Sequence, residues 1–165
     1  VEKTLMDRVR LSIFLVIVFF LHLLFYQYLS TGEIYPDLLL VLVIYCSLNW
    51  GSTPGAFSGF LTGIVQDSFS FTYFGLHALA KTILGFVIGS TRHSFFSNSY
   101  LVQAGIIFTA KLLHDIIFYG VYMFRGPGSF WHQIFFHTVP AALYTSFLGV
   151  ALYFIFNIKT KTKRW

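Results

Sequence analysis

The chain has 165 residues, of which 56% are hydrophobic and only 10% charged, with a formal net charge of +5 and a mean hydropathy of +0.73. Soluble domains carry about 25% charged residues, so this composition excludes a water-covered globular surface and implies an integral membrane protein. The one cysteine, Cys46, excludes an internal disulfide and a cysteine-built metal site, and it reads as a small buried apolar residue.

A helix needs about 20 mainly apolar residues to cross the hydrocarbon layer. The chain divides into six such pieces, roughly residues 11–29, 37–50, 55–74, 76–90, 100–124 and 131–157. The second and fourth are short, and their ends are expected to extend into neighbouring turn residues. The breaks carry turn chemistry: Ser30-Thr31-Gly32, Pro36, Gly51 to Pro54, Ser97-Asn98-Ser99 and Gly126-Pro127-Gly128. No linker exceeds about ten residues, which implies one domain over 1–165. The expected fold is all-α, a single bundle of six transmembrane helices. The first apolar run is too long for a cleavable signal peptide and lacks a small-x-small exit.

Basic residues set the expected topology. With the N-terminus inside, Lys3, Arg8, Arg10, Arg92, Lys159, Lys161, Lys163 and Arg164 fall on the cytoplasmic side, and Arg125 alone falls outside. That asymmetry places both termini in the cytoplasm and demands an even number of spans. The tail "IKTKTKRW" reads as an anchor at anionic lipid headgroups rather than a nucleic-acid site.

The third piece, "GSTPGAFSGFLTGIVQDSF", places Gly51, Gly55, Gly59 and Gly63 four apart and ends the ladder on Asp67. In lipid, helices gain nothing by hiding apolar side chains from one another; close packing and interhelical hydrogen bonds hold them instead, and small residues permit both. Each four-residue step turns a helix by about 400°, so the ladder drifts around the span, which suits a right-handed crossing. The fourth piece repeats the device with Gly85 and Gly89, in register with Lys81 and His77. Gly55, Gly59, Gly63, Gly85 and Gly89 are therefore expected to be helix-packing or partner-contact surfaces.

Ionisable residues inside spans are costly and normally point into the bundle, paired. Asp67, Lys81, Lys111, His114 and Asp115 are expected to form a balanced intramembrane network, with Lys111 and Asp115 four apart on one helix face. A structural role is favoured, with a proton or substrate path and a partner-facing contact as alternatives. Asp67 and Lys81, on either side of a short loop, could instead each be solvated by interfacial water. His22 and His137 are read as interhelical hydrogen-bonding groups. No cofactor and no metal site is expected. Phe fills the spans, whereas Tyr26, Tyr28, Tyr35, Trp50, Tyr100, Trp131 and Tyr153 lie near their ends, as in interfacial aromatic belts.

Over residues 35–89 the order of features resembles the MreD family of rod shape-determining proteins. Pro36 enters an apolar helix, a turn follows, then a GxxxGFxxGxxxD ladder (Gly55, Gly59, Phe60, Gly63, Asp67), a short loop with Gly75, and a small-residue helix ending at Gly89. Length, span count and basic termini agree over the whole chain, while spans one, five and six match only in character. The resemblance implies a non-enzymatic component of the bacterial inner membrane that takes part in cell elongation, peptidoglycan synthesis and shape maintenance. It further implies a scaffold that binds MreC and works beside a RodA-type glycosyltransferase, a class B penicillin-binding protein and, indirectly, the MreB filament.

The bundle is also similar to the substrate-binding S components of energy-coupling factor vitamin transporters, which supplies an alternative function. Such components offer alanines four apart on the first span, and "LSIFLVIVFFLHLLFYQYL" contains no alanine or glycine. An enzymatic alternative, an intramembrane aspartyl protease with Asp67 and Asp115 as its dyad, lacks the Asn-rich motifs of lipoprotein signal peptidase. A serine hydrolase fails because "GAFSG" is not GxSxG.

Overall fold

A computed structural model describes residues 13, 16–22, 24, 34–69, 74–92, 99–122 and 130–156. The described residues form helices and turns, with no strand among them. Residues 16–22 lie in a first helix, α1. It is followed by α2 (Leu38–Trp50), α3 (Ser52–Asp67), α4 (Leu76–Ser90), α5 (Tyr100–Tyr122), a short α6 (Phe130–Gln133), a π-helical turn (Ile134–Thr138) and α7 (Val139–Phe156). The basic termini, Arg125, Tyr26 and Tyr28, which entered the topology and belt readings, lie outside the described residues.

The helix α2 is apolar on every side and is buried from Leu38 through Leu48, as a helix without a polar face must be. It packs against α3, α4, α5 and α7 and forms the centre of the bundle. Around it Val18, Leu84, Ile88, Ile107, Ala110 and Leu152 complete the apolar core.

The outer helices reverse the soluble pattern. In α3 the buried residues are Gly55, Gly59, Gly63, Gln66 and Asp67, whereas Phe57, Phe60 and Leu61 are exposed. In α4 Lys81 is fully buried while Leu79, Ile83, Phe86 and Val87 are exposed. Large apolar side chains outward with small and polar ones inward fit a lipid surround, because in water the exposed aromatics would be an aggregation face. Two helical stretches, Tyr100–Val121 and Phe130–Ile155, are long and apolar enough to cross a membrane.

Several boundaries differ from the sequence expectation, each for a local reason. The second and fourth pieces do not extend into their neighbouring turns. Gly51 and Gly75, both at φ 97°, mark the end of α2 and the start of α4 with a backbone that L side chains rarely adopt. The 13-residue α2 is therefore about 20 Å long, shorter than the hydrocarbon layer, but its burial spares it contact with lipid. The third helix starts at Ser52 rather than residue 55, with Pro54 in its first turn, where the missing N–H had no intrahelical partner to lose. It stops at Asp67 rather than running to residue 74.

The last helix is interrupted by the π turn Ile134–Thr138 just before Pro140. A proline ring clashes with the carbonyl four residues back, and a local change of winding relieves that clash. One aromatic assigned to the interface is not there. Tyr153 is 3% exposed, its ring centroid 5.6 Å from that of Tyr45 in α2, because it occupies the face of α7 turned to the core. Tyr35, Trp50, Tyr100 and Trp131 are exposed, and Cys46 is buried.

Candidate functional site

The two glycine ladders face one another. A Cβ at Gly55 would strike the carbonyl oxygen of Gly85, one at Gly59 the carbonyl of Lys81, and one at Gly63 the backbone of Ala78. Reciprocally, a Cβ at Gly85 would strike Gly55, and one at Gly89 would meet the backbone at Gly51 and Ser52. The helices α3 and α4 thus touch backbone to backbone along their whole length, the most extensive helix contact among the described residues. Only glycine permits that approach at the crossing points. Gly105 and Gly120 of α5 differ, because a Cβ at either would meet nothing.

Asp67 ends α3 and is 1% exposed, yet no cation among the described residues pairs with it. Its Oδ1 accepts the backbone N–H of His77 at 3.1 Å and its Oδ2 that of Ala78 at 3.0 Å. The helix α4 begins after Gly75, which has no side chain to cap it. Asp67 reaches across from the neighbouring helix and satisfies two orphan donors at the positive end of the α4 dipole. Neither interfacial solvation nor pairing with Lys81 describes it.

Lys81 has a different partner, which the sequence reading missed. Its Nζ lies 2.8 Å from Asp37 Oδ1, with side chains 0% and 1% exposed. The same Asp37 oxygen accepts the Leu40 N–H at 3.0 Å, capping α2, and the Asp37 N–H donates to Thr145 Oγ1 of α7 at 3.1 Å. Asp37 therefore ties α2, α4 and α7 together at one buried point. Pro36-Asp37 before an apolar run carried a signal for this, since Asp is a favoured N-cap. Its pairing with a lysine 44 residues away did not. His22 is buried within electrostatic reach of Asp37 and Lys81.

A second cluster joins α4 to α5. Lys111 Nζ donates to Asp115 Oδ1 at 2.7 Å, and His114 Nδ1 lies 2.8 Å from the same oxygen. His114 Nε2 lies 3.3 Å from His77 Nδ1, and the His77 ring stacks on Phe118 with centroids 4.4 Å apart. Four of the five expected network residues thus divide into two clusters. Lys81 pairs with Asp37, whereas Lys111, His114 and Asp115 form one chain that ends on His77, and Asp67 serves as a cap. Asp67 and Asp115 are each held by their own donors, and no hydrogen bond joins them, so they do not form a carboxylate dyad that shares a proton.

A cleft of ≈ 40 Å³ adjoins this second cluster, lined among others by Gln66, His77, Lys111, Asp115 and His137. Gln66 is 7% exposed and its Oε1 has no hydrogen-bond partner, which is costly for a buried amide. Gln66 carried no functional signal in the sequence, because a lone polar residue near a helix end is ordinarily solvated, and His77 was visible only as a residue in register with the second glycine ladder. Among the described residues no group of three or more His, Cys, Asp or Glu side chains could hold a metal ion.

The family described as rod shape-determining protein MreD matches residues 3–161. No curated protein and no solved structure matches the chain. The family match takes in both glycine ladders and both buried charge clusters and leaves out only a few residues at each end; the chain belongs to the rod shape-determining protein MreD family.

Proposed function

We propose that this protein is a non-enzymatic, six-span scaffold of the cell-elongation machinery in the bacterial inner membrane, with both termini in the cytoplasm. In this reading it is one domain that binds MreC and supports peptidoglycan synthesis. It works beside a RodA-type glycosyltransferase and a class B penicillin-binding protein, and couples indirectly to MreB. The family match over residues 3–161 carries the reading. The geometry supports it in kind: the ladder glycines, the Asp37–Lys81 pair and the Asp67 cap hold helices to one another, and Lys111 and Asp115 neutralise each other within α5. Asp37 and Asp115 are each paired with a lysine, and Asp67 accepts two backbone donors. A bundle with outward aromatic faces suits a protein that presents surfaces to membrane partners.

The test separates a scaffold from a chemical device at the second cluster. Lys111→Met, Asp115→Asn and the double variant are introduced into a rod-shaped bacterium depleted of its own MreD, and cell shape and folded yield are read together. As structural elements, the single changes lower folded yield and the double change restores part of both yield and rod shape, since the pair is removed together. Full folding with spherical cells in all three variants would contradict the scaffold reading, because the charges would then be needed for function itself.

A further inference from the structure

The cleft beside the second cluster has a defined hydrogen-bonding character, set by the tautomers of the two stacked histidines. Asp115 Oδ1 already accepts from Lys111 Nζ, so it can only accept from His114 Nδ1, which therefore carries a proton. Lys111 and Asp115 balance each other, and a further cation in this apolar interior would stand uncompensated, so His114 is neutral and its Nε2 is a lone-pair acceptor. The His77 Nδ1, 3.3 Å away, then supplies the proton of that bond. A neutral His77 has its remaining nitrogen, Nε2, as an acceptor, with no hydrogen-bond partner among the described residues. The chain Asp115–His114–His77 orders two imidazoles so that it terminates in a lone pair on a ring that lines the cleft.

Gln66 lines the same cleft with an Oε1 that has no partner while the residue is 7% exposed. Its amide can both donate and accept, and among the described residues Lys111 Nζ makes one hydrogen bond of the three it can donate. The space, ≈ 40 Å³, holds roughly three water molecules by the volume each needs, or one hydroxymethyl-sized group. An ionic occupant is disfavoured, because the Lys111–Asp115 pair offers no net charge to offset its desolvation. A metal lacks ligands among the described residues. An apolar occupant would leave the Gln66 amide unsatisfied.

We propose that the cleft bounded by Gln66, His77, Lys111 and Asp115 is a binding site for an uncharged hydroxylic group, supplied by water or by the glycerol headgroup of a polyol lipid. Hydroxyl protons, two from one water or one from each of two glycerol hydroxyls, are donated to His77 Nε2 and to the orphaned Gln66 Oε1, and the oxygen accepts from Lys111 Nζ, at the junction of α3, α4 and α5. Neither the hydrogen bonding at this site nor its test requires MreC.

The experiment is proton-detected solid-state NMR on the full chain, labelled with ¹⁵N-histidine and ¹⁵N-glutamine, in bilayers of phosphatidylcholine alone or with phosphatidylglycerol. The expected spectrum shows His77 protonated at Nδ1 and bare at Nε2, with magnetisation transfer between its ring and hydroxylic protons. Transfer to water protons in both bilayers identifies water as the source. Transfer to glycerol-headgroup protons that appears only with phosphatidylglycerol identifies the lipid. Gln66→Leu abolishes the transfer while helical content by circular dichroism is unchanged. A proton on His77 Nε2, transfer to acyl-chain protons alone, or transfer to neither source overturns the proposal in the unmodified protein, whether or not the variant folds. Persistence of the transfer in a folded Gln66→Leu protein overturns the part assigned to Gln66.

Discussion

Lys81 Nζ sits 2.8 Å from Asp37 Oδ1 with both side chains out of contact with solvent. The two residues come from separate helices, 44 positions apart. Because Asp37 also caps α2 and binds α7 through its own backbone N–H, three helices meet at this one residue, two of them through its carboxylate.

Asp37→Asn keeps a side chain that caps helices about as well as Asp but removes the charge. Its cost therefore reports the ion pair: up to about 3–5 kcal/mol for an uncompensated buried partner, less if Lys81 sheds its proton. Lys81→Met combined with Asp37→Asn is expected to cost less than the sum of the singles. Thermal unfolding in detergent, run as a double-mutant cycle, measures the difference. Strict additivity would mean that the pair is not coupled.

The geometry makes Asp67 a cap rather than an ion-pair partner, and the two roles predict different losses. Asp67→Asn retains one acceptor oxygen and is expected to cost about 1 kcal/mol or less, while Asp67→Ala frees both donors of α4 and costs roughly 0.5–2 kcal/mol. Equal, severe loss from Asn and Ala in the same unfolding assay would show that the charge itself is what matters.

At the ladder, Gly59→Leu places a side chain where the Lys81 backbone lies. Overpacking of this kind costs about 1–3 kcal/mol, read as a lowered unfolding temperature. Gly105→Leu is the control: a Cβ there meets nothing, so stability is expected to hold. A destabilised Gly105→Leu beside an unaffected Gly59→Leu would put the close packing on the wrong helix.

Topology is read by cysteine labelling of intact spheroplasts with a membrane-impermeant reagent, the native Cys46 being buried. Cysteines introduced by Gly32→Cys and Gly128→Cys are expected to react, and those from Ser97→Cys and Thr162→Cys are not. Reaction of the Thr162→Cys protein from outside would overturn the cytoplasmic C-terminus, and with it the even span count or the orientation.

What could be read in the sequence follows the range of the interactions. The helices Leu38–Trp50 and Leu76–Ser90 were legible because a glycine bounds each apolar run, Gly51 after the first and Gly75 before the second. The Lys111–Asp115 pair was legible because residues four apart on one helix are neighbours by construction. The opposition of Gly55 to Gly85 was half visible: each ladder announced a close contact, but not which helix supplied it. Asp37–Lys81 and the Asp67 cap on α4 were hidden, since both depend on tertiary geometry that places distant segments side by side. Pro54 was taken for a turn because a proline disfavours a helix interior, whereas in a first turn it costs nothing. The burial of Tyr153 was hidden for a related reason, because position near a span end does not reveal which face of the helix a ring occupies.

Membership of the elongation complex is tested by co-purification. The full chain, tagged and expressed in a rod-shaped bacterium, is solubilised from membranes in mild detergent, and its partners are identified by mass spectrometry. MreC is expected to be recovered together with cell-wall synthases, a recovery retained by Gly105→Leu and reduced by Gly59→Leu in proportion to its loss of folded protein. Recovery of an ATPase pair with a stoichiometric vitamin, and no MreC, would contradict that membership.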